Sequence, residues 1–156
     1  MKKIYLFFIG MLLLVYGNMS KVAAESTIYL FQNFPYLSTW HYDVTFNGDT
    51  ISLPQTEMLN PNSNGLKKYP KAVHKCNIKN DGRLIITKEY SWYQKPYHDE
   101  IILDLVDGET YFIEYMSGFS NNFKLLDSKK GEKLLQKAGK DNKNWVVFEN
   151  AIDYEN

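Results

Sequence analysis

The chain is poor in the residues that most often cross-link small domains or carry their chemistry. Of its 156 residues one is cysteine (Cys76), three are histidine and one is arginine (Arg83). A single cysteine excludes an intramolecular disulfide framework, so stability must come from an ordinary core, with Cys76 expected in it as a small buried hydrophobe. His41, His74 and His98 lie 24 to 33 residues apart, with no C-x-x-C or H-x-x-x-H pairing. No metal site is expected from that spacing, because zinc ligands must converge. There is no G-x-S-x-G elbow, glycine-rich phosphate loop or H-E-x-x-H, and acids adjoin only as in Asp99-Glu100. No catalytic residue, metal or cofactor is therefore expected. With 17 lysines against one arginine, forked guanidinium recognition of phosphate or carboxylate is nearly absent. Internal repeats and low-complexity tracts are also missing.

Long apolar runs are scarce too, and the clearest lies at the start. Lys2 and Lys3 precede 13 largely apolar residues, 4–16, followed by a short polar stretch and Val22-Ala23-Ala24. A membrane-spanning helix needs about 20 apolar residues. A basic start, a short apolar segment and a small-residue site are the order of a secretory signal peptide. Cleavage is expected after Ala24, dividing the chain into a signal segment, 1–24, and a single domain, 25–156. The alternative is an uncleaved N-terminal anchor. No cysteine follows the expected cut, so no lipid anchor is expected, and the mature chain has no segment that reads as a transmembrane span. Without Lys2, Lys3 and Lys21, 15 basic residues face 18 acidic ones. That balance gives no general attraction to nucleic acid. The expected location is periplasmic or extracellular.

The remainder reads as strands. Hydrophobic residues make up 44% of the chain and aromatics 15%, enough for one core. Residues 26–32 form a first strand, broken by Phe34-Pro35-Tyr36. Trp40, Tyr42, Val44 and Phe46 alternate with His41, Asp43 and Thr45, the clearest period of two in the chain. Asn47-Gly48 suits a type I′ hairpin into 50–53. Residues 54–64 form a polar loop. Strand signals resume at 72–78 and, after the turn Asn80-Asp81-Gly82, at 83–93. Residues 94–98, with Pro96, read as a break. Segments 101–106 and 110–116 flank Asp107-Gly108-Glu109, a second tight-hairpin signal, and 123–126 adds a strand. One helix is expected, capped by Asp127 or Ser128, with Leu134, Leu135 and Ala138 on one face and Gly139 ending it. A linker, 140–143, leads to a terminal strand at 145–148. The fold class expected is mainly β, an antiparallel β-sandwich of about seven strands with one short C-terminal helix.

The run Asp107-Gly108-Glu109-Thr110-Tyr111-Phe112-Ile113 resembles the G-K-T-Y-Y turn-and-strand of the bacterial domain of unknown function 2846. Ile28–Gln32 sits where that family has an I-Y-V-Y-R strand, and Phe46-Asn47-Gly48-Asp49 is similar to its strand ending in N-G-K. Asp81-Gly82-Arg83-Leu84-Ile85 resembles its P-G-K-H-x-L turn, and Gly131 with Leu134 and Leu135 its closing G-x-x-x-L. The likeness covers roughly residues 28–135, in short pieces. Gln32 stands where an arginine is usual, no proline precedes Gly82, and the lipidated cysteine is missing. The resemblance implies a small exported β-sandwich of the prealbumin type, often a lipoprotein, with the helix as an appendage rather than core. It implies no reaction.

Three surfaces are candidates for function. Tyr90, Trp92, Tyr93 and Tyr97 form an aromatic segment, with Tyr90 and Trp92 on one strand face and Tyr93 opposite. Their rings either fill the core or, at Trp92, Tyr93 and Tyr97, stand exposed to stack on a sugar or a protein partner. Lysines 129, 130, 133, 137, 140 and 143 gather near the helix, as a solvated face interleaved with Glu132 and Asp141 or as a site for an anionic surface. His74 and Cys76 share a strand face two residues apart, so the contact a small hydrolase would need is possible, although any i, i+2 pair has that spacing. The leading expectation is a non-enzymatic interaction module whose partner is a protein or glycan of the bacterial cell envelope. The alternatives are a glycan-binding module using the aromatic residues and, third, a hydrolase.

Overall fold

The computed structural model describes residues 24–33, 43–51, 53, 71–79, 81–92, 95–116 and 123–154, with backbone alone for 90–92, 95, 97 and 150–154. Nine strands and one helix follow in order: β1 (Glu25–Gln32), β2 (Asp43–Phe46), β3 (Asp49–Ile51), β4 (Lys71–Lys79), β5 (Gly82–Trp92), β6 (Lys95–Leu105), β7 (Thr110–Tyr115), β8 (Phe123–Leu126), α1 (Ser128–Lys140) and β9 (Trp145–Tyr154). The strands form a five-stranded sheet, β8-β7-β1-β4-β9, and a four-stranded sheet, β3-β2-β5-β6. This is the expected mainly β sandwich with one short C-terminal helix. It has nine strands among the described residues rather than about seven.

The polar loop at 54–64 and the strand residues Trp40, His41 and Tyr42 lie outside the described residues, as does the signal segment up to position 23. Ala24 is exposed and directly precedes β1.

The small sheet is antiparallel throughout, whereas β1 runs parallel to β7 and β4 parallel to β9. The uniformly antiparallel arrangement is thus corrected for the larger sheet. Parallel neighbours need a long crossover. Here the chain leaves β1 and β4 to build the small sheet before returning as β7, and α1 carries it from β8 to β9. Periodicity locates strands but says nothing of which strands pair.

One turn is corrected for the same reason. Asn47-Gly48 joins the antiparallel pair β2–β3 with positive φ at both residues, 50° and 95°, as the hairpin reading requires. Asp107-Gly108-Glu109, read as a hairpin, instead carries the chain from β6 in one sheet to β7 in the other, and Asp81-Gly82 does the same between β4 and β5. The two crossings are tied together. The Asp107 backbone N–H donates to Asp81 Oδ1 at 2.6 Å, and Ser26 Oγ donates to the Val106 carbonyl at 2.7 Å.

Residues 95–98, read within a break, belong to β6. Pro96 is accommodated because β6 is an edge strand, pairing with β5 alone, where a missing N–H need not interrupt a ladder. The last strand likewise runs on to Tyr154 beside β4.

Alternation sets two cores. Ile28, Leu30, Cys76, Ile78, Ile113 and Tyr115 of the large sheet meet Val44, Phe46, Leu84, Ile86 and Leu105 of the small one. The opposite face of the large sheet presents Phe31, Val73, Phe112 and Trp145 to α1, whose Ala138, Leu134 and Leu135 cover them. The helix is therefore a third layer of the fold, not an appendage. It comes close because Gly131 lies directly on the Phe112 ring. Asp127 is its N-cap, accepting from the Lys130 N–H at 2.9 Å. The helix continues one residue past Gly139, with Asp141 as C-cap.

Candidate functional site

Cys76 is buried in the inter-sheet core, where burial pushes its thiol up to about 12. The void beside it is about 10 Å3, no more than a single water occupies. A thiolate nucleophile needs a depressed pKa and access, and this thiol has neither. His74 stacks on Phe148 with ring centroids 4.9 Å apart and planes 9° from parallel. The pair therefore lacks the activated nucleophile that a hydrolase would use. His98 is exposed, with Nδ1 3.6 Å from Glu89, and His41 lies outside the described residues. No group of three or more metal-ligating side chains converges among the described residues. Among them, too, no helix is long and apolar enough to cross a membrane.

The aromatic hairpin is placed only by its backbone. β5 and β6 pair over eleven positions, with Trp92 opposite Lys95 and Tyr90 opposite Tyr97. β2 covers β5 only from Leu84 to Thr87, so from Lys88 onward the two strands form a ribbon of their own among the described residues. Tyr93 lies outside the described residues.

The lysines of α1 resolve into a groove. Lys130, Lys133, Lys137 and Lys140 line one side of an open groove of about 760 Å3, and Lys124 from β8 reaches it from the sheet. Its apolar floor includes Leu126 and Leu134. Lys130 is paired with Asp127 at 2.7 Å. The two acids in the lining are turned to asparagines: Glu114 accepts from Asn33 Nδ2 at 2.7 Å, and Asp141 from Asn144 Nδ2 at 2.9 Å. Lys124, Lys133, Lys137 and Lys140 form no ion pair among the described residues. Lys133 and Lys137 are four apart on the helix, and Lys137 and Lys140 three. Like charges at that spacing cost a helix roughly 0.2–0.5 kcal/mol per pair. Lys129 and Lys143 do not line the groove. Lys124 was not legible as part of it, because nothing in the sequence brings β8 beside the helix.

A second group was missed altogether. Lys88 and Asp99 are buried at 6% and 3% exposure and stand directly opposite each other on β5 and β6. Tyr115, from β7 of the other sheet, donates its hydroxyl to Asp99 Oδ2 at 2.9 Å. Lys88 Nζ lies 5.4 Å from the centre of the Tyr115 ring. The signal was available at Lys88, which continues the buried alternation of Leu84 and Ile86 with a charge. At Asp99 it was hidden by reading 94–98 as a break.

No protein-family model, curated protein or solved structure matches this chain.

Proposed function

We propose that the chain is an exported, non-catalytic β-sandwich module of the bacterial cell envelope that holds an anionic ligand in the lysine groove between α1 and β8. The signal-like first 24 residues and the likeness to the exported domain of unknown function 2846 support the compartment. The observation that carries the binding reading is the groove: four lysines without an ion pair among the described residues, above an apolar floor. A polyanion laid along it offsets the lysines' mutual repulsion, and Leu126 and Leu134 receive its apolar part. Lysine heads bind as mobile point charges, which suits a repeating ligand better than a single oriented one.

The test is binding of the full chain to immobilised polyphosphate, to a carboxylate polymer and to a neutral polysaccharide. Retention on one of the anionic polymers is expected. It should weaken as salt is raised, since exposed charges are screened within about 10 Å at 0.1 M. Lys133→Gln with Lys137→Gln should weaken it about tenfold or more, one charged hydrogen bond being worth roughly 1.5–3 kcal/mol. Retention unchanged in that double variant would sink the groove reading. The β5–β6 ribbon favours a second reading, a glycan site at Trp92, Tyr93 and Tyr97. Retention on the neutral polymer alone, lost in Tyr93→Ala with Tyr97→Ala, would select it.

A further inference from the structure

The Lys88–Asp99–Tyr115 group plays no part in the groove, and its placement is unusual for structural charges. An amine and a carboxyl face each other across two antiparallel strands, where direct partners hold their Cβ atoms about 4.5–5.5 Å apart, within reach of a curled lysine. Both are almost wholly withdrawn from water. We propose that Lys88 and Asp99 condense into an intramolecular isopeptide bond that staples β5 to β6 inside the sandwich.

The chemistry balances without a co-reactant. For condensation the ammonium proton must pass to the carboxylate, giving amine and carboxylic acid. Desolvation weakens the ammonium's hold on its proton, because a buried charge is costly. Burial pulls the Lys88 ammonium down to about 7, with the charge of Asp99 pulling the other way. The Nζ lone pair attacks Asp99 Cγ, a C–N bond forms, and negative charge collects on the carboxyl oxygens. The Tyr115 hydroxyl already donates to Oδ2 and stabilises that charge as an oxyanion-hole donor does. One Cγ–O bond then breaks. The oxygen leaves as water, taking the second proton from the amine, and an amide remains. Nothing is oxidised or reduced. Exclusion of water from the site disfavours the reverse reaction. The bond closes the loop of residues 89–98, so the aromatic hairpin tip is carried on a covalently clamped stem.

The measurement is the intact mass of the full chain as purified, its N-terminus read directly, followed by peptide mapping. The expected result is a mass lower than the sequence by one water, with a branched peptide joining Lys88 to Asp99. Lys88→Arg should have its full mass. Asp99→Asn should reach the same final mass as the wild type, because ammonia leaves in place of water. Tyr115→Phe should slow the mass change. Water can also be lost by succinimide formation at Asp81-Gly82 or Asp107-Gly108, and mapping separates the cases. A water loss located at either Asp-Gly pair overturns the proposal. So does a full-mass wild type whose Lys88 takes an amine label once the chain is denatured. Should Lys88→Arg fail to fold, the wild-type mass and map decide alone.

Discussion

At Cys76 the thiol of the unfolded chain ionises near 9.0, while in the core burial raises that value to about 12. The folded form therefore keeps its proton over a range in which the unfolded form has lost it. Stability from this residue is complete below about pH 9 and is drawn down as pH rises toward 12, with a slope approaching about 1.4 kcal/mol per pH unit. Urea midpoints of the wild type and of Cys76→Ala, measured at pH 8 and pH 10.5, should show the wild-type advantage shrinking at the higher pH. An advantage that stays constant would mean the thiol is not buried. Single residues were unevenly legible. Cys76 as a core hydrophobe and Asn47-Gly48 as a hairpin turn each follow from local chemistry, which also narrows the cap to Asp127 or Ser128. Lys88 could be placed by parity alone, but its partners come from β6 and, across the core, from β7, and no local pattern reports a neighbour in another sheet.

Among the elements, α1 shows how a short helix can be fixed by what it lacks. A side chain at Gly131 would enter the space of the Phe112 ring, whereas one at Gly139 would meet nothing within 4 Å. In an isolated helix both glycines cost about 1 kcal/mol relative to alanine. Gly139→Ala should therefore stabilise the protein by about 0.5–1 kcal/mol. Gly131→Ala should destabilise it by about 1–3 kcal/mol despite the same propensity gain, because the helix must lift off the sheet. Thermal unfolding of the two variants side by side checks this, and equal effects of either sign would contradict the close approach. Strand positions were readable from alternation and turn residues. Their partners were not, since Asp-Gly serves a crossing between sheets as readily as a hairpin, and Pro96 marks a break or an edge strand with equal ease.

On the scale of the molecule, β4 is covered on one side only by β9, and Trp145 at the start of β9 packs with Phe31, Val73 and Phe112 under α1. A chain ending at Asn144 should lose cooperative unfolding and aggregate, because it exposes both the β4 edge and the aromatic layer. A truncated chain with a sharp transition near the wild-type temperature would show that β9 is dispensable. That the fold is a sandwich was legible, since its strands are short and punctuated. The groove was only half legible, because the helix lysines are visible in sequence while Lys124 arrives through the topology. The order of strands has a further consequence. β1, the earliest described strand, lies in the middle of its sheet, and its partners begin only at Lys71 and Thr110. A chain emerging amino-terminus first from any channel must release about half its length before β4 can pair with β1, and well over half before β7 can. Such non-local pairing slows folding, so the emerging chain remains threadable at least until its first half has passed.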